Sequence, residues 1–99
     1  MSEKQLQKKV VEFLSKTGAW FYHPREWKKG TDGIPDIIGC LDGKFFAIEL
    51  KNPEIKDPKK KLRPEQKNVI NQIKQSGGFV LVTNDLNEVV KFINLIRRL

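Results

Sequence analysis

The fold is decided by residues 33–51, GIPDIIGCLDGKFFAIELK. Two apolar runs in this stretch flank the pair Asp42-Gly43, which is a strong indication of a two-residue β-hairpin turn. Asp36 lies six positions before the first residue of this pair, and Glu49 lies six positions after the second. Antiparallel pairing across the turn therefore predicts that Asp36 and Glu49 are neighbours on adjacent strands.

A helix and a strand are predicted before the hairpin. Ser2 followed by Gln5 is typical of a capping box. Apolar residues then recur at helical spacing until Gly18, which is a natural C-terminal stop. The aromatic run 19–23 predicts a short strand, and the charged stretch 25–33 has no period and predicts a loop.

A helix, a strand and a second helix are predicted after the hairpin. The charged stretch 52–62 predicts a loop, and Pro64 suits the first position of a helix that ends at the glycine pair 77–78. The run FVLVT, 79–83, predicts a buried strand, and a capping box at 85–88 opens a C-terminal helix. The order α-β-β-β-α-β-α predicts an α/β fold with a mixed central sheet flanked by helices.

Composition and charge limit the function. The chain of 99 residues, predicted to be one domain over 1–99, carries 19 Lys and Arg against 12 Asp and Glu, a formal net charge of +7. Such an excess attracts polyanions and favours nucleic acid over a membrane or an acidic protein as partner. No apolar run is long enough to span a bilayer, the N-terminus is polar, and the single cysteine excludes an internal disulfide. We expect a cytoplasmic protein without a membrane partner.

The hairpin also carries the candidate chemistry. Two carboxylates held side by side repel, and a hard divalent cation such as Mg²⁺ would resolve the repulsion by taking both as ligands. Lys51 lies two residues after Glu49, so strand alternation points both side chains to one face and Leu50 to the core. The lysine could stabilise charge that develops on a phosphodiester, and the backbone carbonyl of Leu50 could be a further metal ligand.

The alternative interpretation is an exposed, ion-paired strand face, which is what an isolated Glu-x-Lys triplet usually forms. Three features favour the metal site: the strand is otherwise apolar, the partner strand carries an acid at the matching register, and the net charge suits a polyanion.

The sequences GIPD (33–36) and IELK (48–51), followed by Gln66 in the next helix, resemble the PD-(D/E)XK nuclease superfamily and, more closely, the virus-type replication-repair nuclease (VRR-NUC) domain. The resemblance implies a restriction-endonuclease-like αβββαβ core, here with an added C-terminal helix. It implies dependence on Mg²⁺ or Mn²⁺, endonucleolytic hydrolysis of DNA phosphodiesters, and neither an organic cofactor nor a small-molecule substrate. Stand-alone, virus-encoded members are associated with branched DNA such as four-way (Holliday) junctions.

The resemblance also implies roles for individual residues. Asp36 and Glu49 would ligate the metal, Lys51 would be the catalytic lysine, and Gln66 would hydrogen-bond near Lys51 or the attacking water. Without the resemblance, Gln66 would be read as an ordinary surface glutamine. Arg63 stands where family members often have a serine or threonine N-cap, which weakens the cap and adds a possible phosphate contact.

The family also uses an acid on the first helix, and this chain has two candidates. Glu3 precedes Val10 by seven residues, which places it on the apolar side of the helix, whereas Glu12 falls on the solvent face. We therefore assign Glu3 as the third metal ligand. Its alternative role is that of a first-turn glutamate favoured by the helix dipole.

Basic residues near the motifs are candidate DNA contacts. Trp27, within a basic segment, could stack on an unpaired base or could instead anchor its own loop. The lysine run 59–61, after the Glu-x-Lys strand, could bind the phosphates of the DNA backbone or be a solvated loop. The predicted DNA contacts are Arg25, Trp27, Lys28, Lys29, Lys59, Lys60, Lys61 and Arg63.

The remaining apolar residues predict the core and the assembly. Cys40 is expected to be a small core residue and not a nucleophile, and the aromatic residues 20–22 are expected in the core and on the sheet face. The last helix has one apolar stripe for the sheet and a second made of Phe92, Leu95 and Leu99, which predicts a homodimer.

Three functions remain open at this point. The first is a structure-selective, metal-dependent endodeoxyribonuclease. The second is a nicking or restriction-like nuclease of the same fold, against which the lack of a separate specificity domain counts. The third is a non-catalytic nucleic-acid-binding module, against which the intact acid pair and lysine count.

Overall fold

A computed structural model describes residues 1–23 and 33–99 of the chain. It confirms the predicted element order and adds one short 3-10 helix in the stretch predicted as a loop. The elements are α1 (Glu3–Ser15), β1 (Trp20–Tyr22), β2 (Ile37–Leu41), β3 (Lys44–Leu50), the 3-10 helix (Pro58–Lys61), α2 (Pro64–Gln75), β4 (Phe79–Thr83) and α3 (Leu86–Arg98).

The four strands of the described residues form one mixed sheet in the order β1-β2-β3-β4. The β1–β2 and β2–β3 pairs are antiparallel, and the β3–β4 pair is parallel. Asp42 and Gly43 both have positive φ, 52° and 77°, which is the conformation of a type I′ hairpin turn. Ile37 lies opposite Ile48, so the hairpin register is the one that the sequence predicts.

Helices α1 and α3 cover one face of the sheet, and α2 covers part of the other. On β3 the alternate residues Phe46, Ile48 and Leu50 are buried in the main core with α1 and α3. The other face of β3 carries Ala47 and Glu49 and meets α2. The buried helix residues of the main core are Leu6, Val10, Leu14, Val89, Ile93 and Ile96.

The two predicted capping boxes have different outcomes. At α1 the box is confirmed: the Gln5 N–H donates to Ser2 Oγ at 3.1 Å, and the Ser2 N–H donates to Gln5 Oε1 at 2.8 Å. At α3 the predicted box is wrong: Asp85 caps the helix by accepting from the Asn87 N–H at 2.9 Å, and Glu88 accepts from the hydroxyl of Thr83. Glu88 therefore links α3 to the end of β4.

The expected burial of Cys40 is wrong, because its side chain is exposed. In the strand 20–22 Phe21 packs against the core, while Trp20 and Tyr22 are exposed on the sheet face. The reason is alternation: these three side chains lie on the sheet face that α2 covers only over β3 and β4. The strand 79–83 is likewise only half-buried over its first three residues.

The second stripe of α3 is smaller than predicted. Phe92 packs against the core, with its ring edge-to-face on Phe46 at a centroid separation of 6.4 Å. Leu95 and Leu99 remain exposed. Among the described residues, no helix is both long and apolar enough to cross a membrane.

Gly33 lies in the segment before the hairpin, and its backbone packs closely against the start of α2. Its φ is +82°, and a Cβ at this position would overlap the backbone carbonyl of Glu65. Gly18 has nearly the same φ, +85°, with no atom within 4 Å of an added Cβ. We expect Gly18→Ala to lower the free energy of unfolding by about 1 kcal/mol through backbone strain alone. Gly33→Ala should cost about 1–3 kcal/mol more because of the overlap.

Urea unfolding of both variants measures this difference. Equal losses in the two variants would show that the close approach of Gly33 to α2 does not exist in solution.

Candidate active site

The two hairpin carboxylates interlock at the end of the β2–β3 pair. The Asp36 N–H donates to Glu49 Oε1 at 3.3 Å, and the Leu50 N–H donates to Asp36 Oδ2 at 2.8 Å. Each carboxylate thus accepts from the backbone of the other strand, as the predicted cross-strand position requires. Glu49 is 4% exposed, so its carboxylate lies almost wholly out of water.

Gln66 of α2 joins the carboxylate to the lysine. Its Nε2 donates to Glu49 Oε2 at 2.9 Å, and its Oε1 accepts from Lys51 Nζ at 3.1 Å. The same Oε1 accepts from the Arg63 N–H at 2.9 Å, which fixes the amide orientation because two donors point at the oxygen. Gln66 is buried, and the reading of it as an ordinary surface glutamine is wrong.

Lys51 completes this network. Its Nζ lies 3.3 Å from Glu49 Oε2, and its side chain is 14% exposed. Its backbone N–H donates to the Thr83 carbonyl at 3.0 Å, so the parallel β3–β4 pairing continues past the end of β3 and fixes the lysine. The ammonium group is therefore placed beside the acid pair from two elements, β4 and α2.

The electrostatics of the site favour a bound cation. The pKa of Glu49 is raised to about 7, mainly by burial and then by the charge of Asp36, against the lowering effects of Lys51 and of the Asp36 N–H. Burial also raises the pKa of Asp36, while the hydrogen bond from the Leu50 N–H and the charge of Lys51 lower it. One ammonium group does not compensate two carboxylates, of which Glu49 is buried and Asp36 half-buried.

Glu3 lies close enough to the site for its carboxylate to interact electrostatically with Asp36 and Lys51. Burial raises the pKa of Glu3, followed by the charge of Asp36, and the charge of Lys51 lowers it. Glu12 is exposed on the opposite side of α1. The structure thus brings Glu3 and not Glu12 to the site, as the helical spacing predicts.

The donor set fits a hard divalent ion. Asp36 and Glu49 supply carboxylate oxygens, and Mg²⁺ typically takes one or two protein carboxylates with waters and phosphate oxygens. Within residues 1–23 and 33–99, no group of three or more His, Cys, Asp or Glu side chains is arranged to hold a metal. The site thus offers a carboxylate pair, with Glu3 nearby, and roles for Glu3 and the Leu50 carbonyl as ligands stay predictions.

A cavity of about 500 Å³ lies at the opposite end of β3 from Glu49. It opens between the hairpin turn and the C-terminal end of α2, with Phe45 and Ile73 among its lining residues and no carboxylate. Charge and hydrogen bonding, not cavity size, therefore locate the candidate active site.

The predicted DNA contacts fall into two groups. Lys59, Lys60 and Lys61 are exposed on the 3-10 helix, and exposed Arg63 lies 3.5 Å from the carboxylate of Glu65. Arg63 and Gln66 are adjacent at the start of α2, so this basic group borders the site. The other predicted contacts, Arg25, Trp27, Lys28 and Lys29, lie outside the described residues.

Sequence reasoning missed the role of Asn84. Its Nδ2 donates to the carbonyls of Asn52 and Ile55, at 3.1 and 2.6 Å, and thus holds the loop that follows Lys51. An asparagine directly after a buried strand was the available signal, but its partners are about thirty residues away and no local pattern reveals them.

The sheet, the helices on both faces and the carboxylate–lysine site define the class, an α/β protein with a nuclease-type fold. Residues 1–84 match the family described as VRR-NUC domain, and the chain belongs to this family. A solved structure described as "VRR_NUC domain" is similar, with 25% identity, a TM-score of 0.70, and coverage of 93% of this chain and 94% of that one. No curated protein matches the sequence.

The raised pKa of Glu49 predicts how stability depends on pH without metal. A carboxyl whose pKa rises on folding stabilises the protein below its unfolded value of 4.5, and this contribution is lost as pH rises through about 7. We expect the free energy of unfolding to fall by on the order of 3 kcal/mol across this range. Glu49→Gln should remove most of the fall.

Chemical denaturation in EDTA at several pH values measures it. Glu12→Gln is the matched control, since that carboxylate is exposed, and its profile should follow that of the wild type. A wild-type profile that is flat, or unchanged by Glu49→Gln, would contradict the burial argument.

Proposed function

We propose that the protein is a metal-dependent endodeoxyribonuclease that hydrolyses phosphodiester bonds with Mg²⁺ or Mn²⁺ and selects branched DNA such as four-way junctions. One observation carries the proposal: buried Glu49 and half-buried Asp36 form an acid pair that Gln66 links to Lys51. Membership of the VRR-NUC family supports a nuclease acting on DNA.

Asp36 and Glu49 would hold the metal ion, with Glu3 and the Leu50 carbonyl as further candidate ligands. When bound, the metal supplies Lewis-acid activation of water and neutralisation of phosphate charge. The Leu50 N–H holds the Asp36 carboxylate in position, and the Asp36 N–H does the same for Glu49. These backbone contacts preorganise the acid pair before the substrate arrives.

Lys51 provides the positive charge next to the scissile phosphate. Its ammonium group has three donors, of which Glu49 and Gln66 engage two at 3.3 and 3.1 Å. The third is available to a phosphate oxygen or to the attacking water. Gln66 positions the ammonium group and the Glu49 carboxylate relative to each other, so it is a positioning residue.

The basic 3-10 helix supplies affinity that does not depend on sequence. Lys59, Lys60 and Lys61 follow the site-bearing strand within about ten residues and are exposed. Lysine contacts to phosphate position the duplex and are weakened by salt. Arg63 adds a guanidinium group at the edge of the site.

A homodimer is part of the proposal. Leu95 and Leu99 remain exposed on α3 and offer an apolar contact for a second copy. A two-fold dimer would present two active sites, as paired cuts on a four-way junction require.

Metal-dependent cleavage tests the proposal. Labelled four-way junction, duplex and single-stranded DNA are incubated with the wild type in Mg²⁺, Mn²⁺ or EDTA. We expect cleavage with either metal, fastest on the junction and absent in EDTA. Lys51→Ala and Asp36→Ala should each lower the rate at least about 100-fold, because each removes a group that acts on the developing charge.

Lys74→Ala is the matched control, an exposed lysine at the far end of α2, and should cleave like the wild type. Binding of DNA without cleavage in either metal would refute the enzyme and leave a nucleic-acid-binding module. Equal cleavage of the junction and the duplex would refute the junction preference alone.

A further inference from the structure

An exposed row of aromatic side chains lies on the sheet face that carries Glu49. Trp20 is 65% exposed, Tyr22 is 46% exposed, and Phe45 of β3 is 42% exposed. Trp20 lies opposite Cys40, which lies opposite Phe45, so the row crosses three strands. We name Trp20, Tyr22, Cys40 and Phe45 the aromatic strip. Its exposure makes it a candidate interaction surface.

The spacing of the two β1 rings suits a nucleobase. Trp20 and Tyr22 are two residues apart on one strand, so they point to the same face about 6.6 Å apart. Stacked bases repeat at about 3.4 Å, so a gap of twice that distance accepts one base between two rings. Among the described residues neither ring stacks on another aromatic ring, and both side chains are exposed.

The strip is continuous with the candidate active site. Tyr22 lies opposite Ile38, which is two residues after Asp36 on the same face of β2. One strand spacing and two residues along the strand separate Tyr22 from Asp36 by about 8 Å between Cα atoms. Two or three stacked nucleotides span this distance.

We propose that the aromatic strip binds unpaired bases of DNA beside the bond that is cut. The inference rests on the proposed function and adds a substrate class to four-way junctions: branched DNA in which a single-stranded segment adjoins a duplex. Trp20 and Tyr22 stack on the bases, while the net charge of +7 attracts the phosphates. Fully paired DNA keeps its base faces covered by neighbouring bases, so the strip adds little affinity for it.

A second copy of the chain is the rival occupant of the strip. The side chains of the aromatic strip favour nucleotides over a second copy as the occupant. Three of the four are aromatic, and the strip extends toward the acid pair that is proposed to act on a phosphodiester. Aromatic stacking platforms next to positive charge are the usual means of binding single strands.

The test compares two labelled DNAs of equal duplex length, one blunt and one with a single-stranded tail. Fluorescence anisotropy in EDTA measures binding without cleavage. Trp20→Ala and Tyr22→Ala should each weaken binding of the tailed DNA by about 5- to 100-fold, in the range of one lost stacking contact, and binding of blunt DNA less than about two-fold. Asn94→Ala, at an exposed position of α3 on the other side of the sheet, should change neither.

The thiol of Cys40 gives a second readout in the unmodified protein. It is the only cysteine, it is exposed, and it lies directly opposite Trp20. Tailed DNA should slow its reaction with dithionitrobenzoate several-fold, and blunt DNA should not.

Equal losses on both DNAs, no loss on either, or no thiol protection would overturn the inference. A wild type twice the mass of Trp20→Ala by light scattering would also overturn it and assign the strip to a second copy. Because these readouts do not need cleavage, a protein that binds tails but cuts nothing would refute the proposed function alone.

Discussion

The structure depends on one electrostatic constraint, the burial of the Glu49 carboxylate beside Asp36. Two acids placed at one hairpin register repel, and burial removes the water that would screen them. Three donors partly compensate this repulsion, and each lies 3.3 Å or less from a Glu49 oxygen. They are the Asp36 N–H, the Gln66 amide and the Lys51 ammonium group. The pKa of about 7 shows that these donors compensate the burial only in part. A bound cation would compensate the remainder.

The elements around the acid pair fix the positions of the residues that contact it. The hairpin turn sets the register, β4 holds the Lys51 backbone through Thr83, and Asn84 secures the loop beyond it. Helix α2 begins at Pro64 and brings Gln66 inward within its first turn, so the start of the helix lies at the site. The two core helices on the opposite face make the sheet rigid enough to keep these distances.

Much of this was predictable from sequence because the decisive signals are local. The turn residues fix the pairing of Asp36 with Glu49, and seven-residue spacing places Glu3 on the inner side of α1. Burial on the second sheet face was not predictable in this way. Cys40, Trp20 and Tyr22 are apolar residues in strands, which favours burial, but their exposure depends on how far α2 extends across the sheet. Asn84 and the packing of Phe92 on Phe46 depend equally on contacts distant in sequence.

We propose that Asp36 and Glu49 hold a metal ion, so metal binding should release protons from this pair. Calorimetric titration of Mg²⁺ at pH 7, in two buffers of different ionisation enthalpy, counts the protons released per ion bound. With a Glu49 pKa of about 7, we expect the wild type to release about half a proton per ion. Glu49→Gln should release fewer protons per ion bound. No binding of Mg²⁺ to the wild type, or the same proton count in both proteins, would refute the metal site.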